Sequence, residues 1–319
     1  MRRFALINTF WILVVVTLGA LTRLLDAGLG CPDWPVCYGH VVPTLNEHAE
    51  NFSLWEFDSG KAWMEMVHRY AATLLGLSVL IQACLLVPRY LGAVRWLSIF
   101  LVLWVVVQGL FGMWTVTLRL WPPVVSAHLL GGAIALGTQF LIWRTITSNR
   151  EPKWFSPWSA FALVIFLQMA LGAWTSSQYA GLACPDFPTC QGRWWVDIDS
   201  SVLHAPMVEG DEYLGGVVGM EQRMAIQWLH RLGAILVMAF YLYLLFKQHM
   251  QRRSMLFVTG LLGVQITLGI LNAIWLLPLS LALLHNTGAM LLWVSALNGF
   301  TAEQEETLEI PPEPEELLA

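Results

Sequence analysis

The sequence predicts an all-α polytopic membrane protein: eight transmembrane helices forming two tandem, parallel four-helix bundles. Three observations carry that prediction. The 319 residues are 57% hydrophobic and only 12% charged, where a soluble domain carries about 25% charged residues. Eight apolar runs are long enough to cross roughly 30 Å of hydrocarbon as helices. The chain also repeats itself. LGALTRLLDAGLGCPDWPVCYG aligns with LGAWTSSQYAGLACPDFPTCQG at an offset of 153 residues, and EMVHRYAATLLG with QWLHRLGAILV at 162. QGLFG and the His128 that follows align with QITLG and His285 at 157.

In chain order the runs fall at about 5–26, 62–88, 94–118, 123–147, 157–178, 222–247, 254–276 and 279–300. The first opens directly after Met1-Arg2-Arg3 and leads into Thr22-Arg23 and a Gly-rich stretch, with no small-residue cleavage site. It is expected to be a retained helix and not a removed signal peptide. Where the second run gives way to the third stand Arg89 and Arg95. Arg144, Arg150 and Lys153 stand around the link from the fourth to the fifth, and Lys247, Arg252 and Arg253 around that from the sixth to the seventh. With Arg2 and Arg3, these make 10 of the 17 basic residues, all in short flanking segments, which marks that side as cytoplasmic. The two long connections, 27–61 and 179–221, alternate with the basic links and are expected outside. Both termini are then inside. The eighth run is marginal in length, and the acidic, Pro-rich EQEETLEIPPEPEELLA after it suits a disordered tail.

Four helices per copy is an even number, so the copies share one orientation and are related by an axis along the membrane normal. The expected organisation is an N-terminal bundle over 1–150, a C-terminal bundle over 151–300 and a tail over 301–319. The 17 Trp suit aromatic belts at the two membrane interfaces. No basic patch suggests nucleic acid, and the net charge of −5 is sorted by side of the membrane and says little about partners.

An ionisable residue within a membrane helix is a functional hypothesis by default. His68, His128, His230 and His285 each stand about six residues into the second or fourth helix of a repeat, ~9 Å below the outer boundary at ~1.5 Å per residue. These helices all run outside to inside, so the two histidines of each repeat share a depth and could face one another. Two imidazoles opposed across a bundle suit a six-coordinate haem iron. A zinc or non-haem iron site is a weaker rival, because no acids or thiols complete the set. The small residues beside them (Gly131, Gly132, Gly233, Ala234, Gly288, Ala289) are expected to let a flat macrocycle approach.

The copies differ three residues before the first histidine, on the same helical face: Glu65 in one, Gln227 in the other. A carboxyl near a haem can move protons, whereas an amide only hydrogen-bonds. Proton-coupled chemistry is therefore expected in the first bundle and a plain electron-carrying haem in the second. Arg69 and Arg231, each following a histidine, either snorkel to the interface or pair with haem propionates. The outer loops carry CPDWPVC and CPDFPTC. Cys31 with Cys37 and Cys184 with Cys190 are expected to form disulfides, either as structural caps or as a redox-active pair. The C-x5-C spacing does not suit zinc. Cys84, inside the second run, is expected to be a packing residue.

Taken together, E-x-x-H-R in the second span, histidines opening the fourth, sixth and eighth, and paired loop cysteines resemble the haem A synthase family. The resemblance covers about 1–300. It implies oxidation of the C8 methyl of haem O to the formyl group of haem A, which goes to cytochrome oxidase. It also implies that His68, His128, His230 and His285 are axial iron ligands, that Glu65 is the acid beside the first site, and that Cys31 and Cys37 are the family's loop cysteines. By the same resemblance the second half holds a resident haem b and the first takes haem O and yields haem A. Expected partners are the lipid bilayer, haem O synthase, the assembly of cytochrome oxidase and further copies of the chain. The expected location is a bacterial inner membrane. Two other functions fit the residues without the resemblance: a bis-histidine cytochrome b carrying electrons from quinol, and a thiol oxidase using the loop cysteines.

Overall fold

The computed structural model of the protein describes residues 1–43, 57–198, 200–204, 213–247 and 252–299. Among them the regular elements are helical: α1 (Arg2–Leu24), α2 (Ser59–Leu86), α3 (Gly92–Thr117), α4 (Pro122–Ser148), α5 (Pro157–Ser177), α6 (Ser201–His204), α7 (Met220–Lys247), α8 (Arg252–Ile274) and α9 (Leu279–Asn298). All but α6 are long and apolar enough to cross a membrane, and they fall where the eight apolar runs predict. The four-residue α6 and a 3-10 turn over Ala180–Leu182 in the second long loop carry no apolar run of their own and were not expected. The tail expected over 301–319 lies outside the described residues.

Local chemistry fixes the ends. The Asp58 carboxylate accepts from the amides of Gly60 and Lys61 at the start of α2. Ser156 and Ser159 form a reciprocal capping box at α5, with Pro157 in the first turn. Paired prolines begin α4, and a left-handed Asn149 ends it.

Helix α1 packs against α2 and α4, and α3 against α2 and α4. Similarly α5 packs against α7 and α9, and α8 against α7 and α9. Contacts of α4 with α5 and α9, and of α1 with α9, join the two sets. Lipid tails are as apolar as leucine, so close approach and interhelical hydrogen bonds must hold these helices together. Trp293 of α9 donates its indole N–H to the Ala133 carbonyl of α4 at 2.9 Å. Arg23 donates to the Ser176 carbonyl at 2.6 Å and lies 3.9 Å over the Tyr179 ring, whose hydroxyl donates to Asp26 at 2.9 Å. Leu74, Leu103, Ile235 and Phe257 stand more than half exposed on the outward faces, as lipid-facing residues do.

A buried amide network ties α1, α2 and α4. Asn8 donates to Gln82 at 2.9 Å, Gln82 to Gln139 at 2.8 Å, Gln139 to the Ala5 carbonyl at 2.9 Å, and Ser78 to Asn8 at 2.6 Å. The positions that match Asn8, Gln82 and Gln139 in the second half by the repeat offsets are Phe161, Leu244 and Ala296, all buried and apolar.

Candidate functional site

The site is built from the outer ends of the helices and the cysteine loops docked on them. Cys31 is bonded to Cys37 and Cys184 to Cys190, and the two loops share one backbone. Each has a cis aromatic–proline bond, Trp34–Pro35 and Phe187–Pro188. Each closes on an antiparallel bridge, Cys37 with His40 and Cys190 with Arg193. Each turns through a positive-φ pair, Tyr38-Gly39 and Gln191-Gly192, of which glycine takes the larger angle without strain. The aspartate between the cysteines, absent from the expected site residues, fixes that turn. Asp33 accepts from the amides of Tyr38 and Gly39 at 2.7 and 2.8 Å. Asp186 does the same for Gln191 and Gly192 at 2.6 and 2.9 Å, and accepts from the Thr189 hydroxyl as well.

Partial burial pushes the Asp186 carboxyl up. The Thr189 hydroxyl and the Gly192 and Gln191 amides outweigh it and hold the group below the ordinary carboxylate range. A depressed carboxylate stabilises the fold above its unfolded pKa and loses that contribution as pH falls through the folded one. The second loop is therefore expected to stay shut at neutral pH and to loosen below about pH 4. Pepsin nicking of 184–193, normalised to Asp186→Asn, should rise steeply as pH is lowered through that range. A rate that tracks Asp186→Asn at every pH would contradict this role.

Both loops are fastened to the helix that carries the first histidine of each half. In α2, Glu65 is 4% exposed. Its Oε2 accepts from the Cys31 amide at 2.9 Å and its Oε1 from Arg69. In α7, Gln227 accepts from the Cys184 amide at 2.6 Å and donates to the Gly181 carbonyl at 3.0 Å. Arg69 also donates to the carbonyls of Asp33, Pro35 and Val36. Arg231 donates to those of Cys184, Asp186, Pro188 and Thr189. Snorkelling alone does not describe these arginines, since each grips a loop by its backbone. The matched positions thus do one shared job with a carboxylate in one half and an amide in the other.

One turn inward lie the histidines. The rings of His230 and His285 face each other with centroids 6.4 Å apart and planes at 80°. A metal–imidazole bond of ~2.0 Å and ~1.1 Å from nitrogen to ring centre place two imidazoles on opposite sides of one metal ion ~6.2 Å apart, so this spacing fits a shared ion. His68 is the electrostatic neighbour of His128 in the first half. Nδ1 of His68, His128 and His285 is buried without a hydrogen-bond partner. No group of three or more His, Cys, Asp and Glu able to hold a metal occurs among the described residues. In the second half, two opposed imidazoles with no acid or thiol beside them are a haem-type donor set, so the residues there fit a haem.

Glycines on the neighbouring helices give the imidazole rings room. Methyls added at Gly19, Gly112, Gly172 and Gly269 would come 2.9, 3.5, 3.1 and 3.1 Å from Cε1 of His68, His128, His230 and His285. All four stand on the neighbouring helix. Gly131, Gly233 and Gly288, expected to clear a macrocycle, instead accommodate Gln108, Gln168 and Gln265, and Gly132 faces Val16. Which helix crosses which is a tertiary fact, and same-helix proximity to a histidine did not reveal it. Cys84 also departs from expectation, standing exposed on α2 and not packed inside.

Known proteins resemble this chain along nearly its whole length. Heme A synthase of Shewanella oneidensis is 40% identical over 304 residues, covering 90% of this chain and 91% of that protein. Heme A synthases of Caulobacter vibrioides and Paracoccus denitrificans are 28% and 26% identical, each over 323 residues, covering 88% and 89% of this chain and 89% and 82% of those proteins. Residues 2–297 match the COX15-CtaA family, described as Cytochrome oxidase assembly protein, and the chain belongs to that family.

Proposed function

We infer that the protein is a haem A synthase, an oxidoreductase of a bacterial inner membrane that converts the C8 methyl of haem O to the formyl group of haem A for cytochrome oxidase. Kinship carries this reading: 40% identity to the Shewanella enzyme over 90% of the chain. In this reading α1–α4 form the bundle that takes haem O, between His68 and His128. Helices α5 and α7–α9 form a tandem, parallel bundle that holds a resident haem b between His230 and His285. Bound there, the resident haem supplies one-electron redox chemistry.

The chain's own residues divide the remaining work. Each pair of histidines holds its haem at one depth, and the glycine against each ring keeps that ring in place. Glu65, one turn from His68, takes and returns the proton that the first site's chemistry moves. Gln227 cannot, which suits a site that only passes electrons. Arg69 and Arg231, whose terminal N–H groups hold the cysteine loops, place positive charge at the rim that favours anionic propionates. The disulfide loops cap the outer face, and the basic links and both termini lie in the cytoplasm. The difference between Glu65 and Gln227 speaks against a plain cytochrome b, whose two sites would be alike.

The test is expression of the protein with a haem O synthase in a bacterium that makes no haem A, followed by extraction and chromatography of the haems. Haem A is expected. Haem O left unchanged in membranes that contain the folded protein would sink the reading.

A further inference from the structure

The first cysteine loop is covered from the other half of the molecule. Gly28 and Leu29, just ahead of Cys31, rest on the turn between α3 and α4, where Arg119 and Leu120 both take positive φ. Leu120 comes within 3.0 Å of the place a Gly28 methyl would occupy. Leu29, Leu120 and Tyr213 form one buried cluster, with Val217 packed against it. Tyr213 and Val217 belong to the second long loop, and the Tyr213 amide donates to the Arg119 carbonyl at 3.2 Å.

The repeat shows what this cover changes. By the offsets of 153 and 157, Gly181, Leu182, Leu276 and Leu277 match Gly28, Leu29, Arg119 and Leu120. The turn is the same, with positive φ at Leu276 and Leu277, and Leu277 would lie 3.4 Å from a Gly181 methyl. Leu182 is nevertheless 54% exposed, where Leu29 is 9%. The seat is built twice, and Tyr213 lies over the first copy.

The segment that carries Tyr213 is itself fastened. Arg223 on α7, one turn before Gln227, donates to the carbonyls of Gly215, Gly216 and Val218 at 2.9, 3.2 and 3.0 Å. The Gly215 amide bonds the Tyr179 hydroxyl, which donates in turn to Asp26 at 2.9 Å. Gly216 has a φ of +79°, and a methyl there would come 2.9 Å from the Gln178 carbonyl oxygen, so this turn needs glycine. From Leu29 the chain runs on to Gly30, which has no room for a methyl against the α2 backbone, and to Cys31, whose amide bonds Glu65. Pressure on Leu29 therefore bears on the hydrogen bond to Glu65, because a segment with a buried anchor opens less often than one without.

We propose that Tyr213 is a positioning residue that the second half supplies to the first. It seats residues 28–31 on α2 and so holds the Cys31 amide against Glu65. The proposal rests on the reading of Glu65 as the acid of the first site and deepens it: that site is complete only with both halves in place.

The experiment is Tyr213→Ala in the full-length protein in detergent, with Cys84 blocked by N-ethylmaleimide. Reduction of each disulfide by a water-soluble phosphine is timed by alkylation and peptide mass spectrometry. The four loop cysteines are fully buried, so each bond reports the lifting of its own loop. The bond between Cys31 and Cys37 should be reduced about tenfold faster than in the wild type, with that between Cys184 and Cys190 unchanged. Haem A formation should fall in the same variant. Tyr213→Phe, which keeps the ring, should restore slow reduction and haem A formation together. If Tyr213→Ala does not fold, Tyr213→Leu should show the same selectivity by a smaller factor. A wild-type rate at the first disulfide, or equal acceleration of both, would overturn the seating role. Selective reduction with haem A formed at the wild-type rate would overturn its bearing on Glu65. Selective reduction in a protein whose wild type converts no haem O would support the seat and overturn the haem reading alone.

Discussion

Glu65→Gln is expected to stop haem A formation while leaving the fold and the second-half haem unchanged. The chain itself supplies the control. At the matched position Gln227 accepts the Cys184 amide as Glu65 accepts the Cys31 amide, so an amide at 65 can still dock the first loop. Arg69 would lose its carboxylate but keep the carbonyls of Asp33, Pro35 and Val36. What disappears is one titratable oxygen next to His68. Losing a positioned acid–base group typically slows a reaction by about 10²–10⁴-fold. Haem O turnover should fall by that factor, with the haem b spectrum unaltered. Turnover at the wild-type rate would show that Glu65 serves the loop and nothing more.

Gly30→Ala should be the most damaging single methyl in the outer half of the molecule. A Cβ there would lie 2.5 Å from the Lys61 carbonyl carbon, 2.6 Å from its oxygen and 2.7 Å from the Ala62 nitrogen. These are backbone atoms in the first turn of α2, pinned by the Asp58 cap, and cannot swing aside as a side chain would. The loop must lift, which removes the Cys31 amide from Glu65 next door. Overpacking of this kind costs roughly 1–3 kcal/mol, occasionally more, and here it also breaks a hydrogen bond to a charged group. Thermal unfolding in detergent should begin markedly lower, and turnover should fall with it. Gly39→Ala is the comparison. It has open space around it and a φ of +77°, so it should cost only about 1 kcal/mol of backbone strain and leave turnover intact. Equal behaviour of the two variants would mean that the loop is not seated on α2.

Much of this was legible in the residues. Apolar run length located all eight spans, because helix length in a membrane is set by bilayer thickness. The histidines and the Glu65–Gln227 contrast could be read from two aligned copies of one pattern. What stayed hidden were partners on other helices. Gln108 and Gln265 were visible only as markers of the repeat, and Gln168 not at all, because their glycines lie across a crossing. Asn8, Gln82 and Gln139 were likewise invisible, being three polar residues in three separate runs that become a network only when α1, α2 and α4 meet. Asp33 and Asp186 were overlooked between conspicuous cysteines and prolines, although an aspartate before a turn is a common backbone acceptor.

The cysteine loops are fastened twice, by means that act on different states of the chain. The disulfide works on the unfolded ensemble, and closing so small a ring contributes only ~2 kcal/mol in the chain-entropy account. Glu65 with Arg69, and Gln227 with Arg231, grip the loop only once it is folded. Because neither hold depends on the other, opening the sulfur–sulfur bond leaves every clasp from helix to loop in place. All four loop cysteines are fully buried while the loops are seated, so a thiol reagent reaches either bond only when its loop lifts, and the grip of the helix side chains sets how fast that bond can be reduced.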